Sequence, residues 1–132
     1  MAARGERRRR GRLSRSGDFD RVYREGNSHS NRFLVLYAFP RSPEEAEGNT
    51  RLGVSVSRKV GGSVQRSGVK RALREAFWAL AEDGALPPAH DFVLVARPAV
   101  AEVVARDGAN GVAAALREVV ASAGMTPGRR NT

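Results

Sequence analysis

The sequence predicts a single α+β domain, with helices and strands in the order α-β-β-α-β-α around a central mixed sheet. The length of 132 residues, 41% of them hydrophobic, suits one core. Three short apolar runs have strand length, and three longer segments repeat apolar residues at helical spacing. No internal repeat is visible. We therefore expect one domain over residues 16–123.

Residues 1–15 precede this domain and contain seven arginines. A composition so basic and so poor in apolar residues predicts a disordered arm. The arm could bind phosphates or simply be a solvated tail. A nuclear-localisation signal is conceivable for the isolated run, but no other feature of the chain supports it.

Residues 16–26 are predicted to form the first helix, with Ser16 as its N-cap. Phe19, Val22 and Tyr23 lie at i, i+3 and i+4 and form an apolar stripe. Such a stripe usually packs on a core. Aromatic side chains left partly open can instead stack on nucleobases.

Residues 31–39 are predicted to form a strand whose two faces are both apolar. One face would carry Phe33, Val35, Tyr37 and Phe39, and the other Leu34, Leu36 and Ala38. Helices could cover both faces, or one face could bind a ligand. A polar loop over residues 40–50 leads to a second strand, 51–57, predicted to run antiparallel to the first.

Residues 63–82 are predicted to form a helix that begins near Ser63, after the Gly61-Gly62 turn signal. One stripe is apolar and consists of Val69, Leu73, Ala76, Phe77 and Leu80. The stretch from 58 to 74 carries six basic residues and no acidic one: Arg58, Lys59, Arg66, Lys70, Arg71 and Arg74. Arg66, Lys70 and Arg74 fall within about 80° of one another around the helix. This face could bind a polyanion or be an ordinary solvated surface.

Residues 91–97 form a third predicted strand, apolar enough to be buried. Residues 99–107 are ambiguous. Asn110 is the expected cap of a last helix over 110–123, and residues 124–132 are expected to be a frayed tail.

The charge is distributed unevenly along the chain. The net charge is +9, with net +10 over residues 1–75 and net −1 over residues 76–132. Arginine outnumbers lysine by 21 to 2, which fits phosphate recognition in RNA, although a GC-rich genome explains most of such a bias. Cysteine is absent, no apolar run has the length of a membrane span, and the N-terminus lacks a signal-peptide core. These features predict a cytoplasmic protein.

Motifs of catalysis and of metal binding are missing. The glycines fit neither a phosphate-binding loop nor a dinucleotide fingerprint, and His29 and His90 have no partner at metal-ligand spacing. The chain therefore looks like a protein that holds RNA. A non-catalytic ribosomal or general RNA-binding module, and a basic structural protein without a specific RNA, are the alternatives.

The run from Arg51 to Phe77 closely resembles the signature of the bacterial ribonuclease P protein subunit. The matching residues are Ser57, Arg58, Lys59, Val60, Gly61, Val64, Arg66, Lys70, Arg71, Arg74 and Glu75. The likeness extends in family order over roughly residues 12–122. The family's Arg-Asn-Arg is replaced by Arg66-Ser67-Gly68, so one guanidinium of the signature is missing.

The resemblance implies a ribosomal-protein-like fold with a left-handed β-α-β crossover. It implies an endoribonuclease subunit for 5′ maturation of precursor tRNA, with the chemistry and most Mg²⁺ binding in the RNA subunit. The RNA subunit and precursor tRNA are the implied partners, and neither a membrane nor an obligate protein partner is expected. RNA-subunit contacts are implied for Arg58, Lys59, Arg66, Lys70, Arg71 and Arg74. A cleft for the 5′ leader is implied for Phe19, Tyr23, Phe33, Val35 and Tyr37.

Overall fold

The computed structural model describes residues 9–13, 15–41 and 49–124. In this part of the chain five strands are present: β1 (Arg9–Arg12), β2 (Asn27–Ser30), β3 (Leu34–Pro40), β4 (Asn49–Val56) and β5 (His90–Ala96). Three helices accompany them: α1 (Ser16–Glu25), α2 (Ser63–Glu82) and α3 (Val100–Ala123). None of these helices is both long enough and apolar enough to cross a bilayer.

The strands form one mixed sheet in the order β1-β4-β5-β3-β2. β1, β4 and β5 are parallel to one another, whereas β3 is antiparallel to both β5 and β2. The predicted mixed sheet is confirmed, and β3 and β4 do run in opposite directions. They are not neighbours, because β5 lies between them. β5 takes the centre because it is largely buried on both faces; Asp91, Phe92, Val93 and Leu94 are all 0% exposed.

Helices cover the two faces of the sheet unequally. α2 and α3 pack over one whole face, where Leu34, Leu36, Phe77 and Leu116 are fully buried. α1 covers only part of the other face, around a small cluster of Leu13, Val22 and Val93. Much of this second face stays half-exposed, which leaves room for a ligand beside α1.

The predicted disordered arm is wrong for residues 9–12, which form β1 and pair with β4 from Asn49 to Leu52. Leu13 then donates its N–H to the Leu52 carbonyl at 3.0 Å and buries its side chain. Backbone hydrogen bonds hold this strand, so the arginine-rich composition gave no sign of it. Residues 1–8 and 14 of the arm and 125–132 of the predicted tail lie outside the described residues.

Residues 100–107, which were ambiguous in the sequence, are helical and form the first part of α3. Helix begins at Val100 and continues to Ala123, with non-helical backbone at Gly108 (φ 60°, ψ −143°). The predicted start at Asn110 therefore lies just after a kink rather than at a helix end. Glycine adopts this positive φ at little cost, so the two halves stay in one packed element.

Candidate RNA-binding surfaces

The apolar stripe of α2 is buried as predicted, and this fixes the direction of its charged side chains. Val69, Leu73, Ala76, Phe77 and Leu80 are each 2% exposed or less. The helix starts after Gly62, whose N–H donates to Gln65 Oε1 at 3.1 Å, so the N-cap is Gly62 rather than Ser63. Directly beside this stripe lie the cations that we call the α2 row: Arg66, Lys70 and Arg74, all half-buried, with the exposed Arg71 on their outer flank.

A turn between β4 and α2 presents Arg58 and Lys59, both exposed. Ser57 shapes the turn by accepting hydrogen bonds from the N–H groups of Lys59 (3.3 Å, to Oγ) and Val60 (3.0 Å, to O). Val60 is 6% exposed and anchors the turn to the core. The two cations therefore stand just before the helix that carries the other four.

These six cations lack acidic partners within the described ranges, where no ion pair involves any of them. Arg66 in addition has a buried Nε with no hydrogen-bond partner there. Like charges four residues apart on a helix repel one another. An external polyanion would relieve that repulsion and satisfy the donors.

Ser67 and Gly68 interrupt the charged surface, and nothing crowds Gly68. A Cβ added at Gly68 would have no neighbour within 4 Å. We expect Gly68→Ala to stabilise the fold by about 1 kcal/mol, since Gly is a poor helix former. Gly53→Ala is the matched contrast, because its Cβ would lie 2.5 Å from Phe19 Cζ. Urea denaturation should show a higher free energy of unfolding for Gly68→Ala and a lower one for Gly53→Ala. A destabilised Gly68→Ala protein would contradict the conclusion that a Cβ at this position meets no neighbour.

The second surface is a cleft between α1 and the partly open face of the sheet. Tyr23 is 39% exposed and meets Tyr37 edge-on, with ring centroids 4.8 Å apart. The ring centroids of Phe19 and Tyr23 are 6.2 Å apart. Phe19 also packs over Gly53, where a side chain larger than that of glycine would collide with its ring. Val35 lies on the same face and is half-buried. Three of the five predicted cleft residues are thus brought together, Phe19, Tyr23 and Tyr37, and a fourth, Val35, lies on the same face of the sheet.

Tyr23 keeps its hydroxyl protonated at the mouth of this cleft. Burial raises the pKa of Tyr23 above its ordinary value, and a hydrogen bond with Ser55 on β4 opposes the rise. The cleft therefore offers a neutral hydroxyl and open aromatic edges. Such a surface suits stacking and neutral hydrogen bonding with little demand for a particular base.

Phe33 does not belong to the cleft, and its prediction as a cleft residue is corrected. Its backbone N–H and that of Leu34 both donate to Asn31 Oδ1, at 2.9 and 3.0 Å. This side-chain-stabilised turn delays the start of β3 to Leu34, so the strict alternation does not extend back to Phe33. Phe33 instead packs on the α3 side, in a depression shared with Val103 and Ala115.

An ionic cluster around Asp91 joins α1 to the sheet and was not predicted. The Asp91 carboxylate is 0% exposed and accepts two hydrogen bonds from Arg51, at 2.8 and 2.7 Å. The guanidinium groups of Arg41 and of Arg21 on α1 also contact the Asp91 carboxylate, with N–O distances of 3.0 and 3.3 Å. Hydrogen bonding to Asp91 raises the pKa of Arg51. The sequence did contain one sign of this cluster: an acid at the start of a strand predicted to be buried. A buried charge needs partners of opposite charge, so basic residues were to be expected around it.

A mixed sheet with an unneutralised cationic helix on one face and an aromatic cleft on the other defines an RNA-binding α+β protein. The family model "Ribonuclease P" matches residues 8–120. The chain belongs to the ribonuclease P protein family. The resemblance, the fold class and the assignment to a ribonuclease P subunit acting in tRNA processing are thereby confirmed, and the general RNA-binding alternative is set aside.

Relatives and solved structures agree with this assignment. The ribonuclease P protein component of Clostridium acetobutylicum is 44% identical over 88 residues, covering 67% of this chain and 71% of the relative. That of Exiguobacterium sibiricum is 36% identical over 114 residues, covering 86% and 90%. The RNase P protein of Staphylococcus aureus superposes with a TM-score of 0.70 at 32% identity, covering 86% of this chain and 95% of that one. The protein from Thermotoga maritima gives 0.65 at 27% identity, covering 92% and 98%.

Proposed function

We propose that the α2 row and the preceding turn bind the RNA subunit of ribonuclease P, while the α1 cleft holds the 5′ leader of precursor tRNA. The absence of acidic partners for the six cations within the described residues carries the first half of this proposal. Arg66, Lys70 and Arg74 would neutralise phosphates, with Arg58, Lys59 and Arg71 at the margin. Arginine supplies the bidentate geometry that phosphate favours.

The leader assignment rests on chemistry suited to an unpaired strand. Tyr23 and Tyr37 present aromatic edges and faces, and Val35 adds an apolar floor. Stacking on such side chains is tolerant of base identity, as a subunit that serves many precursors requires. The protein would therefore hold the substrate in place while the RNA subunit carries out hydrolysis.

Magnesium is proposed to be bound mainly by RNA in the assembled enzyme. Over the described ranges no three His, Cys, Asp or Glu side chains gather in a way that could hold a metal ion. Asp91, the buried acid, has its oxygens occupied by arginines. The proposed compartment is the cytoplasm, because bacterial transcripts are made and processed there.

Cleavage of precursor tRNA by the RNA subunit at low magnesium concentration, with and without this chain, tests the function. We expect the chain to restore cleavage at the correct 5′ junction. Binding without any rescue, using the RNA subunit of the same organism, would overturn the proposal.

The cleft predicts a leader-dependent defect for Tyr37→Ala. We expect about a tenfold loss of affinity for precursors with leaders of several nucleotides, since one stacked base contributes about 1–3 kcal/mol. Affinity for mature tRNA should stay unchanged. Phe33→Leu is the matched control, because Phe33 lies on the opposite face. Equal losses on precursor and mature tRNA would argue against the cleft.

A further inference from the structure

A third surface lies where β1 meets α2, around Trp78. A cleft of 260 Å³ is lined there by Gly11, Arg12, Leu52, Arg74 and Trp78. Arg12 pairs in register with Leu52. Because register partners point to the same face of a sheet, Arg12 extends over the α2 side, toward Arg74. Two guanidinium groups thus flank one half-buried indole.

Trp78 continues the α2 row, since it follows Arg74 by four residues, as Arg74 follows Lys70. Its ring is held edge-on to the buried Phe77, with centroids 5.0 Å apart. The side chain is therefore fixed by the core and still partly open. A rigid aromatic surface beside two cations is the combination that recognises an unpaired nucleotide, by stacking on the base and pairing with its phosphate.

The charges around Trp78 indicate which side a nucleotide would occupy. Among the described residues that line the 260 Å³ cleft, two are arginines and none is acidic. A neighbouring depression shares Arg74 and Trp78 with this cleft and is lined in addition by Glu75 and Glu82. A phosphate would be attracted to the Arg12 side and repelled from the side of the two carboxylates.

We propose that Trp78, Arg12 and Arg74 form a binding site for a single unpaired nucleotide of RNA, which extends the RNA-binding surface from α2 onto β1. This inference rests on the proposed function of the α2 row and adds a stacking residue to it. The nucleotide could belong to the RNA subunit or to the precursor's leader. Both sources present the same chemistry, a base that stacks and a phosphate that pairs with arginine. The site adjoins the α2 row, so either RNA could reach it.

The chain contains one tryptophan, so indole emission, excited at wavelengths that tyrosine does not absorb, reports on this site alone. The full chain is titrated in one arm with the RNA subunit and in the other with a short unstructured oligonucleotide of leader sequence. Stacking on a nucleobase quenches indole emission, and the arm that quenches identifies the source. Absence of quenching in both arms, with RNA binding shown independently by a filter assay, overturns the proposal.

Variants separate stacking from packing. Trp78→Leu keeps an apolar side chain against the core and should weaken binding of the quenching RNA by roughly tenfold, whereas Trp78→Phe should stay within about threefold. Arg12→Ala should make the slope of log affinity against log salt shallower by about one, the share of one phosphate contact. Arg106→Ala removes a solvent-exposed arginine on α3 and should leave that slope unchanged. Thermal denaturation verifies that each variant is folded. If the wild type stimulates precursor cleavage but Trp78→Leu binds normally, this inference alone fails; if the wild type does not stimulate cleavage, the proposed function fails.

Discussion

Replacing Asp91 by alanine is expected to destabilise the protein by about 3–5 kcal/mol, because it leaves three guanidinium groups facing one another around a buried site. Asp91 is 0% exposed, and Arg51, Arg41 and Arg21 all reach its oxygens. The loss exceeds that of an ordinary surface pair, since the cations cannot be fully solvated where they stand. Urea denaturation followed by circular dichroism measures it.

Asp18→Ala is the matched control for this prediction. Asp18 contacts the same Arg51, at 3.7 Å, but its side chain remains 26% exposed. A partly exposed pair contributes roughly 0–1 kcal/mol. Comparable losses for the two variants would show that burial at Asp91 is not the source of the effect.

Removing the whole α2 row should have the largest effect on RNA binding. For Arg66, Lys70 and Arg74 all changed to alanine, we expect affinity for the RNA subunit to fall about 100-fold, at roughly 1 kcal/mol for each phosphate contact. The slope of log affinity against log salt should become shallower by about 2–3, since each neutralised phosphate contributes about 0.7–0.9. Filter binding over a range of salt concentrations measures both.

A triple variant with the same loss of charge controls for net charge alone. Arg32, Arg106 and Arg117 are exposed and lie outside the α2 row, two of them on α3. Their replacement by alanine removes three positive charges without touching the row. Equal losses in the two triple variants would mean that total charge, rather than the position of the cations, determines binding.

The sequence predicted α2 well because every local signal agreed. Its apolar period, the Gly-Gly turn before it and the glycine and prolines after it all define residues 63–82, and the structure has Ser63–Glu82. The cations could be located for the same reason, since helical geometry alone relates Arg66 to Lys70 and Arg74. Where a site lies on one regular element, spacing in the sequence is enough to predict it.

The features that were missed depend on contacts between distant segments. β1 exists because its backbone pairs with β4, and β2 (Asn27–Ser30) is an entirely polar strand held at an edge by β3. Phe33 changed faces because one asparagine side chain caps a turn. The Asp91 cluster joins residues up to 70 positions apart. None of these leaves a periodic pattern, so the alternation of apolar residues could not reveal them.

The unequal attachment of the helices has a consequence for how the protein moves. α2 buries seven residues in the main core, whereas α1 buries only Val22. Partly exposed rings and the ion pairs of Arg21 with Asp91 and of Asp18 with Arg51 also hold α1 on the sheet. Local opening costs less free energy where little apolar surface is lost, so α1 can detach and reclose while α2 stays folded. The wall of the cleft is thereby a separate cooperative unit. In the proposed function, the cleft would adjust to leaders of different shape while the α2 row stays bound to the RNA subunit.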